Sequence, residues 1–338
     1  MVTEKNRRWL LAARPTGPIE DKYFNWVEEP IPEINDGEML VRVLYLSCDP
    51  TQRGWISRDT YMPAVKIGEV VRSGGVGRVI ASKNSAFAVG ELVSGLVGWR
   101  DFAVMNGEGM FKPAKVPANV PIELAMSTFG LTGLTAYFGL LDVGRPKEGE
   151  TVLVSGAAGA TGSVVAQIAN IKKCHTVGIA GGKEKCDWLR NDAKIENVID
   201  YKSEDVSARV KELCPKGVDI FFDNVGGEQL DIALARLAMN GRVVLCGAIS
   251  QYGETTAPPG PKNYTNLIVK RGRMEGFLVS DHMKDAHKAI AELATWVREG
   301  RIVDRVDVQN GLENAPKTLE RLFSGKNIGK QLLKIADA

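Results

Sequence analysis

The sequence predicts an α/β protein: a doubly wound parallel sheet joined to a second, β-rich domain. Three observations carry this. From Thr151 to about Leu278, short apolar runs alternate with helical patterns, the order that builds a parallel sheet covered by helices on both faces. The first run, Thr151-Val-Leu-Val-Ser155, leads through Gly156-Ala-Ala-Gly159-Ala-Thr-Gly162 into a helix that opens on small residues. The first 120 residues show little helical period and abound in glycine, proline and alternating β-branched residues, the make-up of strands joined by turns.

Taken in order, the alternating half gives strands at Thr151–Ser155, Thr176–Ala180, Asn197–Asp200, Val218–Asp223, Arg242–Cys246 and Arg273–Leu278. Runs such as Val-Leu-Val and Ile-Phe-Phe are apolar on both faces, as buried parallel strands require. Helices are expected at Ser163–Lys172, Glu184–Asn191, Glu204–Leu213 and Gln229–Met239. In the first part, strands are expected within Glu38–Leu46, Val70–Ser82 and Leu92–Val97. After the sheet come an amphipathic helix around Asp285–Glu299, a strand at Val303–Val308, a helix at Asn314–Ser324 and a last strand at Gly329–Ile335. That last strand is expected to return to the first domain. The domains read as 1–125, completed by about 305–338, and 126–304.

Bulk properties bound the function. A chain of 338 residues suggests two domains. Its apolar share of 44% and charged share of 25% are those of an ordinary globular protein. Lys and Arg number 43 against 41 Asp and Glu, a net charge of +2, which offers nucleic acid or an acidic membrane no field. No apolar stretch reaches the roughly twenty residues of a membrane helix. The N-terminus lacks a signal-peptide core. The five cysteines, Cys48, Cys174, Cys186, Cys214 and Cys246, are scattered and form no C-x-x-C pair. They read as reduced, mostly buried thiols of a cytoplasmic protein.

A helix N-terminus presents unpaired N–H groups and the positive end of its dipole. Placed after a glycine turn, it suits the pyrophosphate of a dinucleotide. The spacing G-x-x-G-x-x-G differs from G-x-G-x-x-G, so context matters. The second strand arrives within about thirty residues, as a dinucleotide-binding βαβ unit expects. An NAD site carries an acid about twenty residues past the glycines, on the ribose 2′-OH. Here Gly182 stands twenty residues beyond Gly162, between Gly181 and Lys183-Glu184-Lys185. A carboxylate would repel a 2′-phosphate and an ammonium would attract it. The pattern favours NADP. The other reading makes Lys183 and Lys185 solvated residues of a helix start, with Glu184 beside them inside it.

The histidines are His175, His282 and His287. His282 and His287 are five apart and do not share a helix face. No cysteine lies between Cys48 and Cys174, so a structural zinc lobe of about four cysteines is not expected.

At these residues the sequence resembles the medium-chain dehydrogenase/reductases. It is most similar to their zinc-independent double-bond reductases: the leukotriene B4 dehydrogenase/prostaglandin reductases, plant alkenal double-bond reductases and bacterial curcumin reductases. The resemblance spans nearly the whole chain. It is carried by Arg7-Arg8-Trp9, Leu46-Ser-Cys-Asp49-Pro50, Gly133-Leu-Thr-Ala-Tyr137, the Gly156 loop and Asp223-Asn224-Val-Gly226-Gly227. Cys246-Gly-Ala-Ile-Ser-Gln-Tyr252 and Gly325-Lys-Asn327-Ile-Gly329-Lys330 complete it. Where zinc-dependent relatives have Gly-His-Glu, this chain has Gly68-Glu69.

The resemblance implies a GroES-like first domain, a Rossmann second domain and NADP as cofactor. It implies that the turn and helix start at Gly159, Ala160, Thr161, Gly162 and Ser163 hold the pyrophosphate, and that Lys185 and Tyr201 hold the 2′-phosphate. Asn224, the loop Cys246, Gly247, Ala248, Ile249, Ser250 and Gln251, the segment Phe277, Leu278 and Val279, and Asn327 would line the nicotinamide side. Asn224 can also be read as a turn residue, and Phe277 as core. Tyr252 is the implied catalytic residue, its hydroxyl stabilising an enolate as hydride reaches the β-carbon of an activated alkene, with help from the ribose 2′-OH. The other reading makes Tyr252 a packing residue of a glycine-rich loop. Relatives commonly read Asp-Pro-Tyr-Met-Arg where this chain has Asp49-Pro50-Thr51-Gln52-Arg53. That tyrosine often lines the substrate pocket, and Thr51 cannot stack on an aromatic substrate.

The function expected is NADPH-dependent reduction of the activated C=C bond of α,β-unsaturated ketones and aldehydes. The alternatives are an NADPH quinone reductase and, of another class, an NADPH-binding protein without turnover. A homodimer is expected through the sheet edge at Arg273–Leu278, with no nucleic-acid or membrane partner.

Overall fold

The computed structural model describes residues 5–108, 112–254 and 256–337. The chain divides into two compact units. The first comprises Met1–Met126, Val306–Asn327 and Gln331–Ala338; the second comprises Ser127–Arg305 and Ile328–Lys330.

The first unit is built on strands. β1 (Lys5–Leu11) and β2 (Phe24–Pro30) form an antiparallel pair. A seven-stranded sheet uses β3 (Met39–Ser47), β4 (Gly74–Ser82), β5 (Leu92–Leu96), β6 (Phe102–Met105) and β7 (Ala114–Val116). It is completed by β14 (Val306–Asn310) and β15 (Lys330–Lys334), in the order β14-β15-β3-β4-β5-β7, with β6 also on β3. β15 runs antiparallel to β3, with Leu332 opposite Ser47, so the last strand returns to the first part of the chain. The core gathers Trp9, Phe24, Leu46, Trp55 and Trp99 with Leu312 and Leu319.

The second unit holds β8 (Thr151–Val154), β9 (His175–Ala180), β10 (Asn197–Asp200), β11 (Val218–Asp223), β12 (Leu237–Leu245) and β13 (Arg273–Gly276). They form one sheet in the order β10-β9-β8-β11-β12-β13. All neighbours run parallel. The winding reverses between β8 and β11, the switch point outside which ligands of such sheets bind. Val152, Leu153, Val154, Phe221 and Phe222 are all fully buried, which is why these strands carry no polar face.

Two local expectations need correction. The helix read over Gln229–Met239 spans Gly227–Ala235, and Leu237 already belongs to β12. Asn240 there has φ 61°, and the pairing of β11 with β12 jumps from Val218↔Leu237 to Ile220↔Arg242. The strand thus begins two residues after the helix ends and carries an irregularity at Asn240-Gly241. Before β8, a helix at Leu131–Phe138 passes into a π-helical turn at Gly139–Gly144, in a region where no element was expected.

Candidate active site

The glycine turn leaves β8 through Gly156, whose φ of +58° is open to glycine at little cost. Its amide neighbour Ala157 donates to Ile179 O at 2.9 Å, and Gly159 N–H donates back to Gly156 O at 2.9 Å. The helix Ala160–Ile171 then starts with Gly159 at its N-cap and no side chain capping it. A Cβ on Gly162 would stand 2.3 Å from Gly156 O, so this helix packs on its own turn only because residue 162 is glycine. Gly329 N–H donates to Ala158 O at 2.8 Å, and Gly329 pairs with Gly159 as a parallel bridge. Gly329 therefore buttresses the turn, a role sequence spacing could not reveal.

At the end of β9, a Cβ on Gly181 would lie 2.5 Å from two ring carbons of Tyr201. The tyrosine ring thus packs against the Gly181 backbone, one residue before the position where an NAD site carries its ribose-reading acid. Around the Cβ position of Gly182 there is nothing within 4 Å. An acid does stand nearby, on the next strand: Asp200 Oδ1 accepts Gly182 N–H at 2.7 Å and Lys202 N–H at 3.0 Å. Burial works against its charge, but those two amides, with the Ser203 hydroxyl and the Lys202 charge, together outweigh it and hold the Asp200 carboxyl below its ordinary range. Lys183 is exposed and paired with Asp187, while Lys185 is half-buried in the first turn of the same helix.

At the switch point, Asn224 N–H donates to Ser155 Oγ at 2.7 Å and Asn224 Nδ2 to Ser155 O at 2.7 Å. The residue does close a turn after β11, and its side chain ties that turn to β8. The loop after β12 is fastened onto this turn. Ile249 N–H donates to Asn224 O at 3.2 Å, and Ser250 N–H to Val225 O at 3.1 Å. Tyr252 folds back over the same loop, and its hydroxyl oxygen accepts Ala248 N–H at 3.2 Å. A Cβ on Gly247 would be 3.1 Å from that oxygen. The Cys246 thiol is pushed up to about 12 by burial, with the Asp223 charge adding to it, so it stays protonated. Past β13, Phe277 occupies a notch left by Gly139, where a Cβ would meet its Cζ at 2.4 Å. Its ring also meets Phe222 and His282 edge-on, with centroids 6.5 Å away.

Thr51 and Asn327 belong to the first unit; the other expected site residues belong to the second. Around Thr51, Gln52 and Arg53 are buried and hydrogen-bonded. Gln52 Oε1 accepts Asp49 N–H at 2.8 Å and its Nε2 donates to Arg72 O at 3.0 Å. Arg53 donates to Pro15 O at 3.0 Å and Gly17 O at 3.1 Å. Thr51 is left half-exposed, its hydroxyl 3.0 Å from Tyr61 Oη. Tyr61 packs edge-on against Trp55, with centroids 6.2 Å apart. An aromatic hydroxyl therefore stands beside Thr51 from ten residues downstream, which the motif alone did not signal.

The N-terminal part matches the family model described as the N-terminal domain of oxidoreductase over residues 7–112, and residues 160–295 match the model described as zinc-binding dehydrogenase. The chain is 38% identical over 339 residues to the NADPH-dependent curcumin reductase of Escherichia coli, covering 98% of each. It is 40% identical over 311 residues to the 2-alkenal reductase (NADP(+)-dependent) of Nicotiana tabacum, covering 90% of this chain and 89% of that one. The crystal structure of CurA in complex with NADPH from Vibrio vulnificus superposes with a TM-score of 0.93 at 38% identity, over 98% of this chain and 100% of that one. The chain belongs to the NADP-dependent double-bond reductases of the medium-chain dehydrogenase/reductase family. The reductase has the Rossmann and GroES-like architecture of that family. Among its described residues, no group of three or more His, Cys, Asp or Glu is placed to hold a metal ion. Nor does any described helix have the length and apolarity to cross a membrane.

The residues fit an NADP molecule. The uncapped helix start and glycine turn suit a pyrophosphate. The empty Cβ position of Gly182 leaves space at the strand end, and Asp200 is turned onto backbone amides instead of a ribose.

Proposed function

We propose that this reductase uses NADPH to reduce the activated carbon–carbon double bond of α,β-unsaturated ketones and aldehydes. The observation that supports this most directly is Tyr252, held by the Ala248 amide on a loop docked at the switch point of the sheet. NADPH, when bound, supplies the hydride that the β-carbon receives. Tyr252 donates its hydroxyl hydrogen bond to the substrate carbonyl oxygen as negative charge grows there, while Tyr252 Oη goes on accepting the Ala248 N–H. A donor so placed acts on charge that exists only in the transition state. The α-carbon then takes up a proton from Tyr252, since an ordinary tyrosine is protonated at neutral pH, or from water.

In this reading Gly159 to Ser163 hold the pyrophosphate, Lys185 and Tyr201 the 2′-phosphate, and Asn224, Cys246 to Gln251, Phe277 to Val279 and Asn327 the nicotinamide side. The 126–304 domain binds the cofactor. The 1–125 domain, completed by 305–338, presents Thr51 to the substrate. The half-exposed Thr51 and Tyr61 pair supports a polar, hydrogen-bonding rim there. The protein acts in the cytoplasm as a homodimer. Support for the dimer comes from β13, an edge strand, with Ile268, Val269 and Leu278 exposed near it in sequence and Met239 exposed on the neighbouring strand β12. Two such edges joined by a twofold axis make one continuous sheet.

The test is loss of NADPH absorbance with a panel of enones, enals and quinones, repeated with NADH. Turnover of enones and enals, faster with NADPH, is expected. NADPH binding without turnover of any of them would leave a binding protein, and turnover confined to quinones would reassign the acceptor.

A further inference from the structure

Asp223 ends β11, and none of its surface reaches solvent. Its Oδ1 accepts three hydrogen bonds: from Ser155 Oγ at 2.8 Å, Val225 N–H at 3.0 Å and Gly226 N–H at 2.9 Å. Its backbone carbonyl accepts two more, from Cys246 N–H at 2.9 Å and Gly247 N–H at 3.0 Å. Ser155 hands the connection on, since the hydroxyl that donates to Asp223 also accepts Asn224 N–H. One residue thus joins the carboxyl ends of β8, β11 and β12, the three strands whose loops meet at the switch point.

The other carboxyl oxygen tells more. Oδ2 is buried and has no hydrogen-bond partner among the described residues. A buried group with an unmet acceptor is costly, and an ionised one far more so. A role in core stability alone would be filled more cheaply by an apolar residue with the loops re-formed. Burial pushes the Asp223 carboxyl up, and the Gly226, Val225 and Ser155 donors only partly oppose it.

We infer that Asp223 is a positioning residue for the nicotinamide half of the site, fixing the Asn224 turn and the Cys246–Tyr252 loop through one buried carboxyl oxygen and its own backbone carbonyl. This rests on the proposed placing of those loops against the cofactor. Only Oδ1 is used, so asparagine serves nearly as well: its carbonyl oxygen accepts the same three donors, and its amide takes the unpartnered place. Alanine takes the shared acceptor from the Ser155 hydroxyl, leaving it only Phe222 O at 3.5 Å, and from the Val225 and Gly226 amides.

The experiment measures NADPH dissociation constants by nicotinamide fluorescence, melting temperatures, and kcat and KM with an enone, in wild type, Asp223→Ala, Asp223→Asn, Ser155→Ala and Asn224→Ala. Asp223→Ala is expected to weaken NADPH more than tenfold and lower kcat, with enone KM within threefold of wild type. Asp223→Asn is expected to restore both to within threefold, and Ser155→Ala to fall between. If Asp223→Ala binds NADPH as wild type does while only its melting temperature falls, the inference is overturned. It is equally overturned if Asp223→Asn is as weak as Asp223→Ala. Should Asp223→Ala not fold, Ser155→Ala decides: an unchanged NADPH affinity overturns the inference. Asn224→Ala separates the two layers. If it leaves NADPH affinity unchanged, the turn is not at the cofactor and the site reading fails. If it weakens NADPH while Ser155→Ala and Asp223→Ala do not, only the positioning role fails.

Discussion

Gly162→Ala puts one methyl group where the glycine turn and its helix touch. The added Cβ would lie 2.3 Å from Gly156 O, 2.9 Å from Gly156 C and 3.0 Å from the Ala157 Cα. Ordinary contact begins near 3.4 Å, so the helix start or the turn must retreat by about 1 Å. Every atom in the way is backbone or Cα, so no side chain can swing aside. Overpacking of this kind costs about 1–3 kcal/mol, and each kcal/mol lowers the melting temperature of a domain this size by roughly 2–4 °C. The larger effect falls on binding. Amide-to-phosphate hydrogen bonds near 2.9 Å that lengthen by about 1 Å are no longer hydrogen bonds. Each charged one is worth about 1.5–3 kcal/mol, or roughly 10- to 150-fold in affinity. The assay is NADPH titration by fluorescence beside a thermal melt. Gly260→Ala is the control, since nothing lies within 4 Å of its Cβ position. A folded Gly162→Ala protein that binds NADPH within twofold of wild type would refute the close-approach argument.

Other substitutions probe the remaining parts. Tyr252→Phe should slow enone reduction by about one to three orders of magnitude with NADPH affinity unchanged; steady-state kinetics check this, and an undiminished rate would pass the role to another donor. Lys185→Ala should weaken NADPH far more than NADH in paired titrations, because only NADPH carries the 2′-phosphate; equal losses would reject that assignment. Gly139→Ala drives a Cβ to 2.4 Å from Phe277 Cζ and 2.8 Å from Phe222 Cε2, and a melt should show a loss of about 1–3 kcal/mol. In the first unit, burial raises Asp307, but Arg321 at 2.7 Å, with Gln309 and Gln331, outweighs it and holds the carboxyl below its usual range. Its stabilisation is therefore full above the unfolded value near 3.8 and is lost as pH falls through the lower folded value. Acid unfolding of Arg321→Met should begin at higher pH than in wild type, and coincident acid limbs would contradict this.

What the sequence by itself determined follows from short-range physics. Strands buried on both faces must be apolar throughout, so β8 and β11 were legible as Val-Leu-Val and Ile-Phe-Phe. A helix that starts on a tight turn leaves glycines at fixed spacing, so the Gly156–Gly162 cradle could be read, as could the missing acid at Gly182. The same local logic failed at Leu237–Met239, where the chain passes from helix to strand within two residues with no proline or glycine to mark the boundary.

What only the tertiary structure decided are contacts between residues far apart in the chain. Asp200 sits eighteen residues beyond Gly182 and takes its amide. Gly329 props Ala158 from the far end of the chain. Tyr61 stands beside Thr51, and Asp223 holds three strand ends through one carboxyl oxygen and its backbone carbonyl. A carboxylate in a sequence looks the same whether it faces water or closes a network, because the cost of burying it appears only once the chain has folded around it.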